Sequence, residues 1–243
     1  YLAAHGPLQV TEKYYDRFPH IKDEASRIQA AMISALDDGI GQVISALKRN
    51  DIEENTLIFF ASDNGGGVAH YTSNEPLRLG KQTMFEGGVR VPFLMKWPKR
   101  IPQGIVFESP VSALDIFPTA YAAAGGLPRK DLYLDGVDLL PYLDGSEKSP
   151  PHENLFWRAG SIWAIREDHW KLIFAAERYW LYDLEQDIGE ANNLVDQHPD
   201  IVKKLQKSYD QWNRANMAPI WPPFGAKSNP MFFVDDIEVI WTF

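Results

Sequence analysis

The chain has no cysteine, no long hydrophobic run and no excess of positive charge, and each gap removes a class of chemistry. Without a single Cys in 243 residues there are no disulfides, no zinc–thiolate centres and no thiol nucleophiles, although the compartment stays open because many exported proteins also lack disulfides. No stretch approaches the ~18 uninterrupted apolar residues that span a membrane. No initiator Met and no charged region ahead of an apolar run is present, so no signal peptide is visible. Tyr1 to Ala4 read as the end of a strand cut in mid-element, and the chain is expected to be a fragment. A net charge of −9 argues against a nucleic-acid backbone or an anionic membrane as the main partner. It leaves small anionic substrates open, because a metal ion or a few local cations reverse the field inside a pocket.

What is present suits a folded α/β chain. Hydrophobic residues make up 45% and charged residues 23%, enough for a core and ordinary for a globular protein. From Glu24 to Lys48, Ile28, Met32, Leu36, Ile40, Val43 and Leu47 recur every three or four residues, the mark of an amphipathic helix. Gly39 and Gly41 lie inside it, which points to close packing there. Thr56 to Ala61 is a continuous apolar run, as expected of a strand covered on both faces in a parallel sheet. His5-Gly6-Pro7 and Ser62-Asp63-Asn64-Gly65-Gly66-Gly67 are strand-end turns, and open α/β sheets place ligands at carboxyl ends of strands. Val91 to Trp97 reads as a strand. Ser112 to Ala124 reads as a helix that Pro118 should start or kink.

The composition changes after Gly125-Gly126-Leu127-Pro128. Residues 1–127 form the α/β part, 128–155 a long surface connection, 156–215 a small antiparallel sheet with a helix, and 216–243 a tail. Within the third region Ser161–Arg166, Trp170–Phe174 and Trp180–Leu184 are short aromatic-rich strands of a meander, and Pro199 to Trp212 is an amphipathic helix. Trp157, Trp163, Trp170 and Trp180 belong to the meander core rather than to a glycan platform. The apolar tail either docks back on the domain or meets a partner.

A carboxylate beside a carboxamide at Asp63-Asn64 suits a hard cation such as Ca²⁺ or Mg²⁺. Taken alone, the same tripeptide with Gly65 is more often a plain Asx turn, and two oxygens are too few for either ion. Lys81, on a loop returning to the same sheet edge, could neutralise an anionic ester. His5 could donate to that anion or protonate a leaving oxygen. Glu86 and Arg90 read as a partly buried ion pair, and His152 and His169 as surface residues.

Taken together these segments resemble the sulfatase family, the formylglycine-dependent members of the alkaline phosphatase superfamily. The resemblance rests on His5-Gly6-Pro7-Leu8, Leu36 to Gly41, Ser62 to Gly66, Pro76-Leu77-Arg78 with Gly80-Lys81, and Phe85 to Pro92. It continues through Asp115 to Thr119, Leu134 to Leu139, Arg166 with Trp170-Lys171-Leu172, Leu181 to Leu184 and Asp187 to Leu194, so it runs from residue 1 to about 213. It implies part of a mostly parallel sheet flanked by helices, followed by a small antiparallel sheet with a terminal helix. It also implies hydrolysis of sulfate esters of a sugar or aryl alcohol, a calcium cofactor held by Asp63 and Asn64, and contacts of His5 and Lys81 with the sulfate and its bridging oxygen. His70, Asn74 and Arg78 fall where relatives recognise the rest of the substrate. The family's formylglycine, made from Cys or Ser in a Cys/Ser-x-Pro-x-Arg motif, has no counterpart in this sequence, nor does the family's first pair of aspartate ligands. The chain alone is therefore expected to be inactive, and to associate with itself through exposed sheet edges. The resemblance places the family's members in the periplasm or outside the cell. A phosphonate monoester or phosphodiester hydrolase on the same scaffold, and a non-catalytic remnant serving as a structural piece, are the alternatives.

Overall fold

The computed structural model describes residues 3–67, 72–126, 133–218 and 231–240. The α/β part begins with a short helix α1 (Glu12–Tyr15) and a long helix α2 (Glu24–Arg49). Asp23 caps α2 by accepting from the Ser26 amide at 2.8 Å, which satisfies one of the orphan donors of the first turn. Strand β1 (Ile58–Ala61), helix α3 (Glu86–Val89) and strand β2 (Phe93–Lys96) follow. Helix α4 (Ile116–Ala123) carries Pro118 in its first turn, where no intrahelical donor is lost.

Several expectations change here. β1 pairs antiparallel with β2, Ile58 opposite Lys96, and no residue of either strand is fully buried. The apolar run announced a strand but carried nothing about the direction or number of its neighbours. Gly41 is not a close-packing point, since an added Cβ would meet nothing within 4 Å. Of the expected strand at 1–4, residues 1 and 2 lie outside the described residues, and Ala3 and Ala4 form a turn.

The connection is more than surface chain. From residue 133 onward it contains helix α5 (Leu140–Leu143), and Leu139 and Leu140 are buried. Fully buried Asp115 holds it, accepting from Val137 N at 2.9 Å and from Ser112 N at 2.7 Å. His152 lies against the same carboxylate, its Nε2 2.9 and 3.0 Å from the two oxygens, so it is a half-buried pin rather than a free surface residue.

The meander has four strands rather than three: β3 (Asn154–Ala159), β4 (Ile162–Glu167), β5 (Trp170–Ala175) and β6 (Arg178–Asp183), antiparallel in that order. Alternation gives it two apolar faces. Trp163, Ile165, Leu172 and Leu181 face helix α6 (Pro199–Arg214) through Val202, Leu205 and Tyr209, with Trp163 stacked on Tyr209 at 3.8 Å. Ile162, Ala164, Ile173, Trp180 and Tyr182 face the other way, against Met84 and Phe85 of the α/β part. The tail docks on this second face as a hairpin, β7 (Met231–Val234) and β8 (Ile237–Ile240), with Val234 and Val239 fully buried. Trp221 and Trp241 lie outside the described residues.

Candidate functional site

The strand-end turn and the loop bearing Lys81 form one backbone unit. After β1 the chain turns at Ser62, whose amide donates to Pro92 O at 3.2 Å. Gly65 N donates to Gly88 O at 3.0 Å, and Lys81 N to Gly66 O at 3.1 Å. Such approaches need glycine: a Cβ on Gly65 would lie 1.7 Å from Gly87 O, and one on Gly87 2.3 Å from Leu79 O. Asp63 is exposed and Asn64 half-buried, with Asp63 Oδ1 accepting from the Asn64 amide at 3.0 Å. Lys81 is half-buried, and among the described residues no ion pair of its ammonium is seen.

The two acidic-turn oxygens are hard donors, the type calcium takes. Among the described residues no group of three His, Asp or Glu side chains stands ready for a metal. The pair therefore fits such an ion in kind and supplies only part of a coordination sphere of six to eight oxygens.

His5 is on a separate turn, exposed, with its Nδ1 3.1 Å from Gly6 O. His70 lies outside the described residues. Asn74 and Arg78 are occupied by the scaffold. The Asn74 amide donates to Gly66 O and Leu79 O at 2.8 and 2.9 Å and accepts from Gly66 N at 2.9 Å. Arg78 donates to the Tyr182 hydroxyl at 3.1 Å, to Glu190 O at 2.6 Å and to Asp235 Oδ1 at 2.5 Å. Burial beside these groups pushes the Tyr182 hydroxyl well above its usual range, with Arg78 working against the shift.

Glu86 does meet Arg90, at 3.6 Å, but its closer partner is Lys171, 2.7 Å away and fully buried. Burial acts to raise the Glu86 pKa, and Lys171, Arg166 and Arg90 together outweigh it and hold the carboxyl below its ordinary value. Sequence reasoning placed Lys171 and Glu190 within matched segments but gave neither a role. The signal for Lys171 was its place one residue from Trp170 and two from Ile173, a lysine in phase with a core face.

A family model described as Sulfatase matches residues 1–126, and one described as N-sulphoglucosamine sulphohydrolase, C-terminal, matches 78–215. Mouse (Mus musculus) arylsulfatase J is 31% identical, with 95% of this chain and 47% of that protein aligned. The solved structure of Ps i-CgsB in complex with k-i-k-neocarrahexaose superposes with a TM-score of 0.84 at 34% identity, over 93% of this chain and 51% of that one. The phosphonate monoester hydrolase of Agrobacterium radiobacter gives a TM-score of 0.60 at 28% identity, over 78% of this chain and 41% of that one. The chain thus spans about half the length of arylsulfatase J.

Proposed function

Because the chain belongs to the sulfatase family, we propose that it is the C-terminal portion of a hydrolase acting on sulfate esters of a sugar or an aryl alcohol. One arrangement carries the reading: a cationic loop at Lys81 is tied by its backbone to a turn bearing two hard oxygens, Asp63 and Asn64. These two residues are assigned to calcium, which when bound supplies positive charge against the ester oxygens. Lys81 adds a second charge on the transferring group. His5 donates a proton towards the bridging oxygen as the alcohol departs. In this reading Asn74 and Arg78 serve the ester indirectly, because their polar atoms hold the two loops, while His70 keeps its substrate role on resemblance alone. The nucleophile lies outside these residues, since the sequence has no Cys and no Ser followed by Pro and Arg at the family spacing.

The test has two arms. A longer protein carrying this chain should release sulfate from 4-nitrophenyl sulfate, and Lys81→Ala in it should lower kcat/KM by about 10²- to 10³-fold. Unchanged turnover in that variant removes Lys81 from the site. The 243-residue chain alone should release none, and calcium-dependent release by it would overturn the placement of the nucleophile. The likeness to a phosphonate monoester hydrolase favours a second reading, phosphonate ester hydrolysis. Faster turnover of phenylphosphonate esters than of sulfate esters by the same protein selects it.

A further inference from the structure

Three charged side chains are almost completely buried where the meander meets the 78–90 loop: Lys171 and Glu190 at 0% exposure and Glu86 at 2%. Strand register puts them there. Arg166, Lys171 and Tyr182 are cross-strand partners on β4, β5 and β6, and they share the face that carries Ile173 and Trp180 against Phe85. Lys171 Nζ lies 2.7 Å from Glu86 Oε1 and 2.9 Å from Glu190 Oε1. The Glu86 amide donates to Glu190 Oε2 at 2.6 Å.

Buried ions of this kind add little net stability over an apolar packing of the same volume. Cohesion alone would be served by more residues like Phe85. What the ions add is a fixed direction, and the bonds that follow show where it is spent. Glu86 opens α3, and its next residue, Gly87, donates from N to Arg78 O at 2.9 Å. The residue after that, Gly88, accepts at O from Gly65 N at 3.0 Å, one position from Asn64. The same loop bonds Lys81 N to Gly66 O. The backbone on both sides of the joint is held in the left-handed region, with φ of 56° at Leu79, 73° at Gln82 and 51° at Glu190. Such conformations are strained for residues that carry a side chain and persist only when their surroundings over-determine them.

We propose that Lys171 and Glu190 are positioning residues of the ester site, fixing the Lys81 loop and the Asp63–Asn64 turn through Glu86 and α3. The identity of that site rests on the functional reading above. The charged and titratable groups around the cluster are Arg166 on β4, Tyr182 on β6, Arg78 on the loop, Arg90 after α3 and Asp235 in the β7–β8 turn, with Asp187 close by. Burial pushes the Glu190 carboxyl above its ordinary value, and Lys171 and the Glu86 amide only partly offset it.

The experiment is residue-resolved amide hydrogen exchange on the 243-residue chain, comparing Lys171→Met and Glu190→Gln with the unsubstituted protein. In Lys171→Met the Gly65 and Lys81 amides should exchange at least about tenfold faster, while the amides of the central strand β5 change less than about twofold. In the unsubstituted chain, protection of Gly65 and Lys81, corrected for intrinsic exchange, should fall as pH rises through the Glu190 pKa. Glu190→Gln is close to isosteric, and in it that dependence should vanish. If Lys171→Met does not fold, the pH profile of Glu190→Gln decides. The proposal is overturned if loop protection is unchanged, if loop and β5 amides accelerate together, or if the pH dependence survives in Glu190→Gln. No substrate is involved, so a failed sulfatase reading and a failed positioning role give different results.

Discussion

The two main sheets of this molecule are both built from apolar-rich strands and meet water very differently. In the meander, Ile162 to Ile165 are all buried and each face is covered, one by α6 and the other by the 84–85 loop and the tail hairpin. In the β1–β2 pair, Phe60 is 39% and Leu94 56% exposed. Helix α2, in the same part of the sequence, leaves Ile33 and Val43 about half exposed. Strand propensity is met in both places, and only coverage separates them, because an apolar face is buried only where a second layer lies on it. The consequence for the site is that its loops are held from the meander side.

Phenylalanines in the two regions should therefore differ most. Phe85 is fully buried, with its ring 6.5 Å from Trp180 and 6.1 Å from Tyr182. Phe85→Ala should cost about 3–5 kcal/mol in urea unfolding, whereas Phe60→Ala should cost less than about 1 kcal/mol at its exposed position. Equal losses would abolish the distinction. Gly65→Ala comes next, at roughly 1–3 kcal/mol or more, because its Cβ would be forced onto Gly87 O and backbone must move. A thermal shift within error would mean that the loop is softer than its bonds suggest.

The exposed side makes its own prediction. Phe60 and Leu94 are paired across β1 and β2, forming an apolar patch on a short sheet with open edges. The chain should self-associate in a concentration-dependent way, and the double variant Phe60→Lys, Leu94→Lys should shift its light-scattering mass towards that of a monomer. A monomeric unsubstituted chain would show that the uncovered face is tolerated.

Protonation tests the covered side. Glu190 has a raised pKa in the fold, so its contribution is full below the ordinary carboxylate value and is lost as pH rises through the folded one. Glu86 has a lowered pKa, and its contribution is present above the ordinary value and lost as pH falls. Glu190→Gln should consequently be more stable relative to the unsubstituted chain at pH 7 than at pH 4, and Glu86→Gln less so. Stability differences that stay the same at both pH values, or shift the opposite way, would contradict the assignment of the two carboxyls.

How much of this the sequence disclosed depends on whether the information was local. Helix α2 was legible from its three-and-four spacing, and α6 from Ile201, Leu205, Tyr209 and Trp212. Three strands of the meander were legible from aromatic runs between turns. Strand β3 was hidden because Asn154 to Ala159 follow a Pro- and Gly-rich stretch that reads as loop. The antiparallel partner of β1 could not be read, since an apolar run says nothing of its neighbours. For the proposed site, Asp63, Asn64 and Lys81 were singled out through their turn chemistry and family pattern. Lys171 and Glu190 fell within the family-like segments, but their pairing with each other and with Glu86 could not be read, since the partners lie far apart in sequence.

The smallest predicted effect concerns the tail, which lies beyond the residues matched by either family model. Its two buried valines anchor the hairpin, while the ion pair from Asp235 to Arg78 has a carboxylate that is half exposed. Partly solvated pairs contribute less than about 1 kcal/mol, so Asp235→Asn should scarcely change the unfolding midpoint. Val239→Ala should cost about 1–3 kcal/mol, because it opens a cavity in the apolar cluster that includes Trp180 and Tyr182. If Asp235→Asn proved the more damaging of the two, the hairpin would be held by charge, and the Arg78 corner rather than the valine core would be the point at which the tail controls the site loops.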